Sequence, residues 1–232
     1  MSAKEGTGGG RRGRPRRGPD PDRVQEIVDA AAEIILTKGY SATSIQDIAD
    51  SVGILKGSLY HYVRTKEDFL YRIIKDVYDE ALTDIARVTD MEAPPLERLA
   101  AFIHAHITFA AKHLVAYTIQ VREFDRLSPD RREEIRQGGE NYVEALQRIL
   151  EDGQGTGDVD ASLDPRLTAV VITGSLNSMT RWYQPGGSLA PEQLADVYAS
   201  FIISSVASSE AADGAGGLEK LRVAFRGIAP GS

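Results

Sequence analysis

The side chains best suited to chemistry are hydrogen-bond donors gathered between residues 44 and 66, without the pairing or spacing of a catalytic site. Hydroxyl, ammonium, phenol and imidazole groups follow one another in this stretch, and such groups donate to phosphate oxygens and to base edges. The candidate nucleic-acid contacts in it are Ser44, Lys56, Ser58, Tyr60, His61 and Lys66, together with Gly57, which has no side chain but lies between them.

Catalytic and metal chemistry have little support elsewhere. The chain has no cysteine, which excludes disulfides, thiol nucleophiles and Cys-ligated metals. His104 and His106 project from different sides of a helix, and His106 and His113 lie about 10 Å apart along one face, too far for one ion. We therefore expect no metal, no cofactor and no enzymatic activity, with a helical-bundle enzyme or scaffold as the alternative.

The formal net charge of −7 is unevenly distributed. Residues 1–19 carry six basic side chains and one acidic one, whereas residues 20–67 carry five basic and eight acidic ones. The first segment is glycine-rich and can bury little apolar area, so we expect a disordered basic arm. Within it, a run that resembles the core of minor-groove AT-hooks suggests that Arg12 and Arg14 enter an A·T-rich groove. The alternative is a solvated tail that adds only nonspecific affinity.

Helix-start signals recur after this arm. The expected second helix is short and ends at Gly53, and a third is expected from about residue 56 to 62. A longer fourth helix follows. The predicted N-caps and their partners are Asp20 with Pro21, Thr43 with Gln46 and Thr65 with Asp68.

A helix, a tight glycine turn and a short helix together make the helix-turn-helix arrangement. In that arrangement the first helix braces on the DNA backbone while the second lies in the major groove. Periodicity alone leaves open any small helical bundle with a short corner between two helices.

The residues at this corner resemble the N-terminal domain of the tetracycline-repressor (TetR) family of bacterial transcription regulators. The resemblance covers about residues 22–70. It is carried by the glycine at the turn, by Gly57-Ser58-Leu59-Tyr60-His61 and by Lys66-Glu67-Asp68.

The resemblance implies that Lys66 and Tyr60 contact phosphate and that Lys56 reaches a base or a phosphate. Ser44, at a helix start, is expected to face a phosphate as well. Leu55 departs from the pattern, since many members carry Ser or Thr at that position.

The rest of the chain also has helical periodicity, and no segment alternates with the period of two that predicts strands. We expect a glycine-rich turn over residues 152–160. The further helices are expected over about 94–112, 116–124, 128–152, 164–183 and 191–208.

The predicted fold class is therefore all-α. A three-helix helix-turn-helix DNA-binding domain is expected over residues 20–67, and a larger helical ligand-binding and dimerisation domain over 68–210. Residues 211–232 are expected to form a flexible C-terminal tail.

Candidates for a ligand pocket come from one face of each of several predicted helices, and plain core packing is the competing interpretation of each. These candidates are Phe102, His106, Phe109, Tyr117, Gln120, Phe124, Tyr142, Asn177 and Arg181.

Residues 181–187 are similar to the C-terminal domain of actinobacterial TetR regulators of steroid and fatty-acid breakdown, several of which respond to acyl-CoA thioesters. This resemblance implies a repressor that a small hydrophobic or acyl-CoA-type effector releases from its operator, with Arg181 near the CoA moiety. An anionic effector would use basic groups near the mouth, and a lipophilic cation, as in efflux control, would use Glu123 with Phe124 and Tyr117. The basic candidates are Lys112, Arg122, Arg126 and Arg181.

Family resemblance also implies a homodimer on a quasi-palindromic double-stranded DNA operator, with the two recognition helices about one DNA turn, or ~34–36 Å, apart. The last two long helices would form the interface, where small residues permit close approach. These small residues are Ala169, Gly174, Ser175 and Ser178.

No apolar run approaches the roughly 20 residues of a membrane helix, and the basic N-terminus lacks the apolar stretch of a secretory signal. We expect a cytoplasmic protein without a membrane partner.

Overall fold

The computed structural model describes residues 20–213, and over that range the chain is all-α, as the sequence predicts. Turns of 3₁₀ helix follow α6 (Phe124–Arg126) and α8 (Ser178–Arg181), and no β-strand occurs within the described range apart from an isolated bridge between Val159 and Ala207. The helices are α1 (Pro21–Lys38), α2 (Ile45–Ser51), α3 (Lys56–Leu59), α4 (Lys66–Thr89), α5 (Pro95–Lys112), α6 (Leu114–Glu123), α7 (Pro129–Thr156), α8 (Pro165–Asn177), α9 (Pro191–Val206) and α10 (Ser209–Asp213).

Local caps position the first and fourth helices as predicted. The Asp20 side chain accepts from the N–H of Asp22, and Pro21 occupies the first turn of α1. Thr65 and Asp68 form a capping box at the start of α4.

The predicted capping box of the second helix is wrong by one residue. Ser44, not Thr43, is the N-cap of α2, and it exchanges hydrogen bonds with Asp47. Thr43 is buried, and its hydroxyl donates to the carbonyl of Gly39 at 2.9 Å, which leaves it turned away from the helix start. The third helix is also shorter than predicted and ends at Leu59.

Between residues 20 and 213, two hydrophobic cores stabilise the chain, and α4 belongs to both. The first core joins α1, α2 and α3 to the start of α4, where Phe69 and Ile74 are fully buried. The second core joins the rest of α4, from Val77 to Val88, to α5, α7, α8 and α9. We call α1–α3 with the first turns of α4 the N-terminal unit, and the remainder the C-terminal unit. A shift of α4 therefore moves one core relative to the other.

The predicted glycine-rich turn over residues 152–160 is wrong in its first half. Helix α7 continues to Thr156 and ends at Gly157, which adopts the left-handed conformation with φ 84° and ψ 4°. Gly153 lies inside the helix, at a position with no space for a side chain, because a Cβ there would lie 2.5 Å from Cγ2 of Val159. This glycine serves close packing and not a turn.

The C-terminal boundaries differ slightly from those predicted. Helix α8 ends at Asn177, several residues before the predicted end, and α10 occupies the start of the predicted tail. Arg12, Arg14 and the rest of the arm over 1–19, and the tail over 214–232, lie outside the described residues. Between residues 20 and 213, no single helix has the length and apolar content to cross a membrane; α5 and residues 114–126 do so only as a pair bent by 98°.

Candidate nucleic-acid interface and ligand groove

The turn between α2 and α3 presents one face of α3 to solvent. Gly53 adopts a φ of +67°, and its N–H donates to the carbonyl of Asp50 at 3.2 Å, so the chain reverses within a few residues. Leu59 is fully buried in the first core and anchors α3 to it. The predicted contacts Ser44, Lys56, Gly57, Tyr60 and His61 are exposed, and Ser58 is half-buried.

Two of the predicted phosphate contacts also have partners within the protein. The Ser44 hydroxyl donates to Asp47, whose pKa is well below its usual value because Lys38 and Ser44 hydrogen-bond to the carboxylate. The ammonium of Lys66 donates to the carbonyls of Tyr40 and Thr43, both at 2.8 Å. Lys66 therefore ties the start of α4 to the loop before α2, in addition to any contact with phosphate.

A second set of predicted residues forms a buried polar cluster in the C-terminal unit. Nδ1 of His106 hydrogen-bonds to the hydroxyl of Tyr142, and Nε2 lies 3.2 Å from the hydroxyl of Tyr117. Tyr117 donates to Oδ1 of Asn177 at 2.6 Å. Since a phenol has one proton, His106 must donate from Nε2 and accept at Nδ1. The cluster is internally satisfied.

Burial holds this cluster neutral. Desolvation lowers the pKa of His106 to about 3 and raises the pKa of both tyrosines, Tyr117 and Tyr142, above the usual value. The adjoining void, also lined by Phe109, has a volume of only about 20 Å³. A void of this size holds about one water molecule, so the cluster as it stands has no space for a larger ligand.

An open groove of about 430 Å³ lies on the other side of Asn177, between α4, α6, α7 and α8. Its walls are mainly apolar, and two guanidinium groups and one carboxylate, Glu144, lie at the exposed rim. The groove and the buried cluster share Asn177 and adjacent turns of α6. The lining residues are Tyr78, Gln120, Val121, Phe124, Arg136, Val143, Glu144, Arg166, Val170 and Asn177.

The structure thus divides the predicted ligand residues. Gln120, Phe124 and Asn177 line the open groove, whereas Phe102 is fully buried against the ring of Tyr142. Arg181 is exposed at the end of the 3₁₀ turn after α8 and is not among the groove residues.

The basic side chains at the groove differ from those that the sequence indicates. Arg136 and Arg166 line the rim, whereas Lys112 pairs with Glu80 at 3.4 Å on another part of the surface. The two arginines lie on different helices, so no spacing in the sequence could associate them.

A network of charged residues joins the start of α7 to the start of α4. Arg131 pairs with Asp68, lies 3.6 Å from Glu67 and stacks over the ring of Tyr71 at 4.7 Å. The N–H of Ser128 donates to Glu67 at 2.8 Å. These contacts join residues sixty or more positions apart, so no local pattern in the sequence predicts them. They fix the C-terminal unit against the N-terminal unit.

Comparison with known families assigns both units. Residues 27–73 match the family described as "Bacterial regulatory proteins, tetR family", and residues 92–206 match "Tetracyclin repressor-like, C-terminal domain". The HTH-type transcriptional repressor KstR2 of Mycolicibacterium smegmatis is 29% identical over 198 residues, covering 81% of this chain and 92% of that protein.

Solved structures agree with these matches. The ketosteroid transcriptional regulator KstR2 of Mycobacterium tuberculosis superimposes with a TM-score of 0.77 at 28% identity, covering 83% of this chain and 98% of that one. AibR in complex with isovaleryl coenzyme A and operator DNA gives a TM-score of 0.70 at 29% identity, covering 77% and 97%. These relatives are transcriptional regulators and not enzymes. With a helix-turn-helix unit and a helical C-terminal domain that both match, the chain belongs to the TetR family of DNA-binding transcriptional regulators.

Proposed function

We propose that the protein is a homodimeric repressor that leaves a quasi-palindromic operator when an acyl-thioester effector enters the groove between α6, α7 and α8. The observation that carries this proposal is the position of α6. Gln120 of α6 and Phe124, the first residue of the 3₁₀ turn after it, line the groove, and the last residue of α6, Glu123, faces the N-terminal unit. A ligand that displaces α6 thereby acts on the DNA-binding surface.

On the DNA side, exposure supports contacts from Lys56, Gly57, Tyr60 and His61, with Ser58 beside them. Ser44 and Lys66 lie on the same unit and are kept as phosphate contacts. Arg12 and Arg14 of the arm are assigned to the minor groove on the basis of their sequence alone, where arginine meets an enhanced negative potential.

Two variants test the DNA contacts. Lys56→Ala with Tyr60→Phe should weaken operator binding by about tenfold or more, because each polar contact is worth about 1–3 kcal/mol. Arg87→Ala, which removes an exposed base at the far end of α4, is the control and should leave affinity unchanged. Full affinity in the double variant would refute the assignment.

Deletion of residues 1–19 tests the arm. Since affinity for DNA depends on counterion release by basic groups, the truncated chain should bind more weakly and with a shallower dependence of log Kd on log salt. Equal affinity and an equal slope would contradict a role of the arm in binding.

The dimer interface is supported by an exposed apolar surface on the last long helices. Leu167, Val171 and Gly174 share one face of α8, and Val197 and Phe201 share one face of α9. Large exposed apolar patches mark protein interfaces. Ala169, however, is fully buried within the protomer, so the expectation that it permits close approach of a second copy is wrong.

The effector is proposed to be an acyl thioester with an anionic headgroup, since the groove joins apolar walls to the Arg136 and Arg166 guanidinium groups at its rim. Asn177 and Gln120 supply polar atoms for the thioester carbonyl or the adjoining amides. The solved complex of AibR with isovaleryl coenzyme A and operator DNA shows that this architecture holds such a ligand in that relative.

Operator release measured by fluorescence anisotropy tests this effector class. Acyl-CoAs of graded chain length should release the operator, and Arg136→Gln with Arg166→Gln should raise the half-effective concentration by about tenfold, or about 1.4 kcal/mol. Arg181→Gln is the matched control, because Arg181 is exposed outside the groove. Equal responses in the groove variant and the control would remove the headgroup assignment.

A lipophilic cation is the alternative effector. Glu123, the acid expected to bind it, faces the N-terminal unit, which leaves Glu144 as the carboxylate at the rim. If cationic dyes release the operator and every acyl-CoA tested fails to do so, a lipophilic cation becomes the preferred effector. The binding of double-stranded operator DNA by the proposed repressor also implies a cytoplasmic location, which fractionation can check.

A further inference from the structure

Leu55 is the most exposed large hydrophobic side chain between residues 20 and 213, with an exposed fraction of 80%. It is the residue before α3, with φ −68° and ψ 141°. Its neighbours pack inward: Ile54 contacts the first core, and Leu59 is fully buried in it. The turn therefore directs Leu55 away from the protein although nearby apolar side chains have a core to enter.

The local backbone keeps this exposure. The carbonyl of Leu55 accepts from the N–H of Ser58 at 2.8 Å and from that of Leu59 at 3.2 Å, which fixes the residue at the start of α3. Helix-cap positions favour Ser, Thr, Asp or Asn, whose side chains satisfy a free N–H. Leucine has no polar atom for this purpose, so packing and capping both fail to explain it.

The location of Leu55 indicates what it meets. In a helix-turn-helix protein, residues at the start of the second helix of the motif contact base edges in the major groove. Gly57, two residues later, has no side chain and faces open space, since a Cβ there would meet nothing within 4 Å. The DNA can therefore approach the backbone closely at this position. Among the four bases, the apolar group that the major groove displays is the 5-methyl of thymine.

We propose that Leu55 is a specificity-determining residue that packs against a thymine 5-methyl group in each half-site of the operator. The proposal rests on the proposed DNA-binding function and adds a base preference that no hydrogen bond supplies. Lys56 beside it donates hydrogen bonds, so the two residues distinguish different features of neighbouring base pairs.

Substitution of deoxyuridine for thymine tests the contact, because deoxyuridine lacks only the 5-methyl group. The full chain is first used to select its operator from random DNA. Thymines in the selected site are then replaced in symmetry-related pairs, and Kd is measured by fluorescence anisotropy. One pair of replacements should weaken binding by about tenfold, roughly three- to fourfold per half-site, which is the effect of one methyl removed from water.

Leu55→Ala should lose this sensitivity and bind the thymine and deoxyuridine operators equally. Leu55→Met, which keeps an apolar side chain, should retain most of the discrimination. Lys56→Ala is the matched control: it should weaken binding to both operators alike and leave their ratio unchanged. Because Leu55 is exposed, its variants should keep the thermal stability of the natural chain. A lower melting temperature in one of them would reveal misfolding.

The outcomes separate the two proposals. Selective DNA binding without any effect of deoxyuridine, or with the same effect in Leu55→Ala, would overturn the methyl contact and leave the proposed function standing. Failure to select any DNA would overturn both.

Discussion

The carboxylate of Glu123 accepts a hydrogen bond from the backbone N–H of Tyr40 at 3.1 Å, although the two residues are 83 positions apart in sequence. Tyr40 follows Gly39, which ends α1, and Glu123 ends α6. Gln120, one turn earlier on α6, lines the ligand groove. One helix thus contacts both the groove and the N-terminal unit.

Replacing Glu123 should uncouple these two sites. We expect Glu123→Ala to lower the free energy of unfolding by about 1–3 kcal/mol, the cost of leaving a partly buried N–H without its charged acceptor. The effector should still bind, but the ratio of operator Kd with and without effector should fall severalfold. Anisotropy and calorimetry measure the two quantities. Asp125→Ala removes the same charge from an exposed neighbour and should change neither.

Two glycines of α7, two residues apart, should respond to alanine with opposite signs. A Cβ at Gly153 would lie 2.5 Å from Cγ2 of Val159 and 3.3 Å from Cβ of Pro95, so Gly153→Ala should destabilise the protein by about 1–3 kcal/mol through overpacking. A Cβ at Gly155 would meet nothing within 4 Å, and Gly155→Ala should stabilise the helix by about 0.5–1 kcal/mol. Denaturant unfolding of the pair gives the comparison. Changes of the same sign in the unfolding free energies of the two variants would contradict the packing that the structure shows.

The buried imidazole of His106 should make stability depend on pH. Burial lowers its pKa to about 3, whereas an unfolded histidine titrates near 6.5, so between these values the unfolded chain binds a proton that the folded chain does not. Stability is therefore lost as the pH falls below about 6.5, by at most about 1.4 kcal/mol per pH unit from this group.

Unfolding free energies measured across that pH range should show the difference. His106→Gln should have a shallower dependence on pH than the natural chain, despite a lower stability at neutral pH. His61→Gln, which changes an exposed imidazole, should retain the steeper dependence. Parallel curves for all three proteins would disprove the role of His106.

Arg131 should stabilise the junction between the two units. Burial of the Asp68 carboxylate opposes its ionisation, but the hydrogen bonds from Arg131 and from the N–H groups of Thr65 and Arg64 outweigh this and keep its pKa below the usual value. Arg131→Met should leave that carboxylate without its main cation and lower the melting temperature. Arg136→Met, on the next turn of α7, pairs only distantly with Glu133 at 3.9 Å and should have a smaller effect. Thermal unfolding followed by circular dichroism decides between them.

The sequence by itself determined the elements and the family. Caps and periodicity are local: Asp20 with Pro21 starts α1, Thr65 with Asp68 starts α4, and each depends on residues within a few positions of one another. Local signals fail where tertiary contacts compete. Thr43 resembles a cap but is buried, and Gly153 resembles a turn residue but permits close packing against Val159.

Tertiary structure alone decided how these elements combine into sites. Arg136 and Arg166 reach one groove from different helices, and Glu123 contacts Tyr40 across 83 positions. Arg181 lies outside that groove, although the sequence around it predicts a ligand contact. His106 and Tyr142 are ligand candidates by helix face, yet they hydrogen-bond to each other, and the void beside them has a volume of only about 20 Å³. Such relationships depend on the direction in which each helix packs against the others. That direction is set by the complementary shapes of two shared cores, which no local spacing encodes.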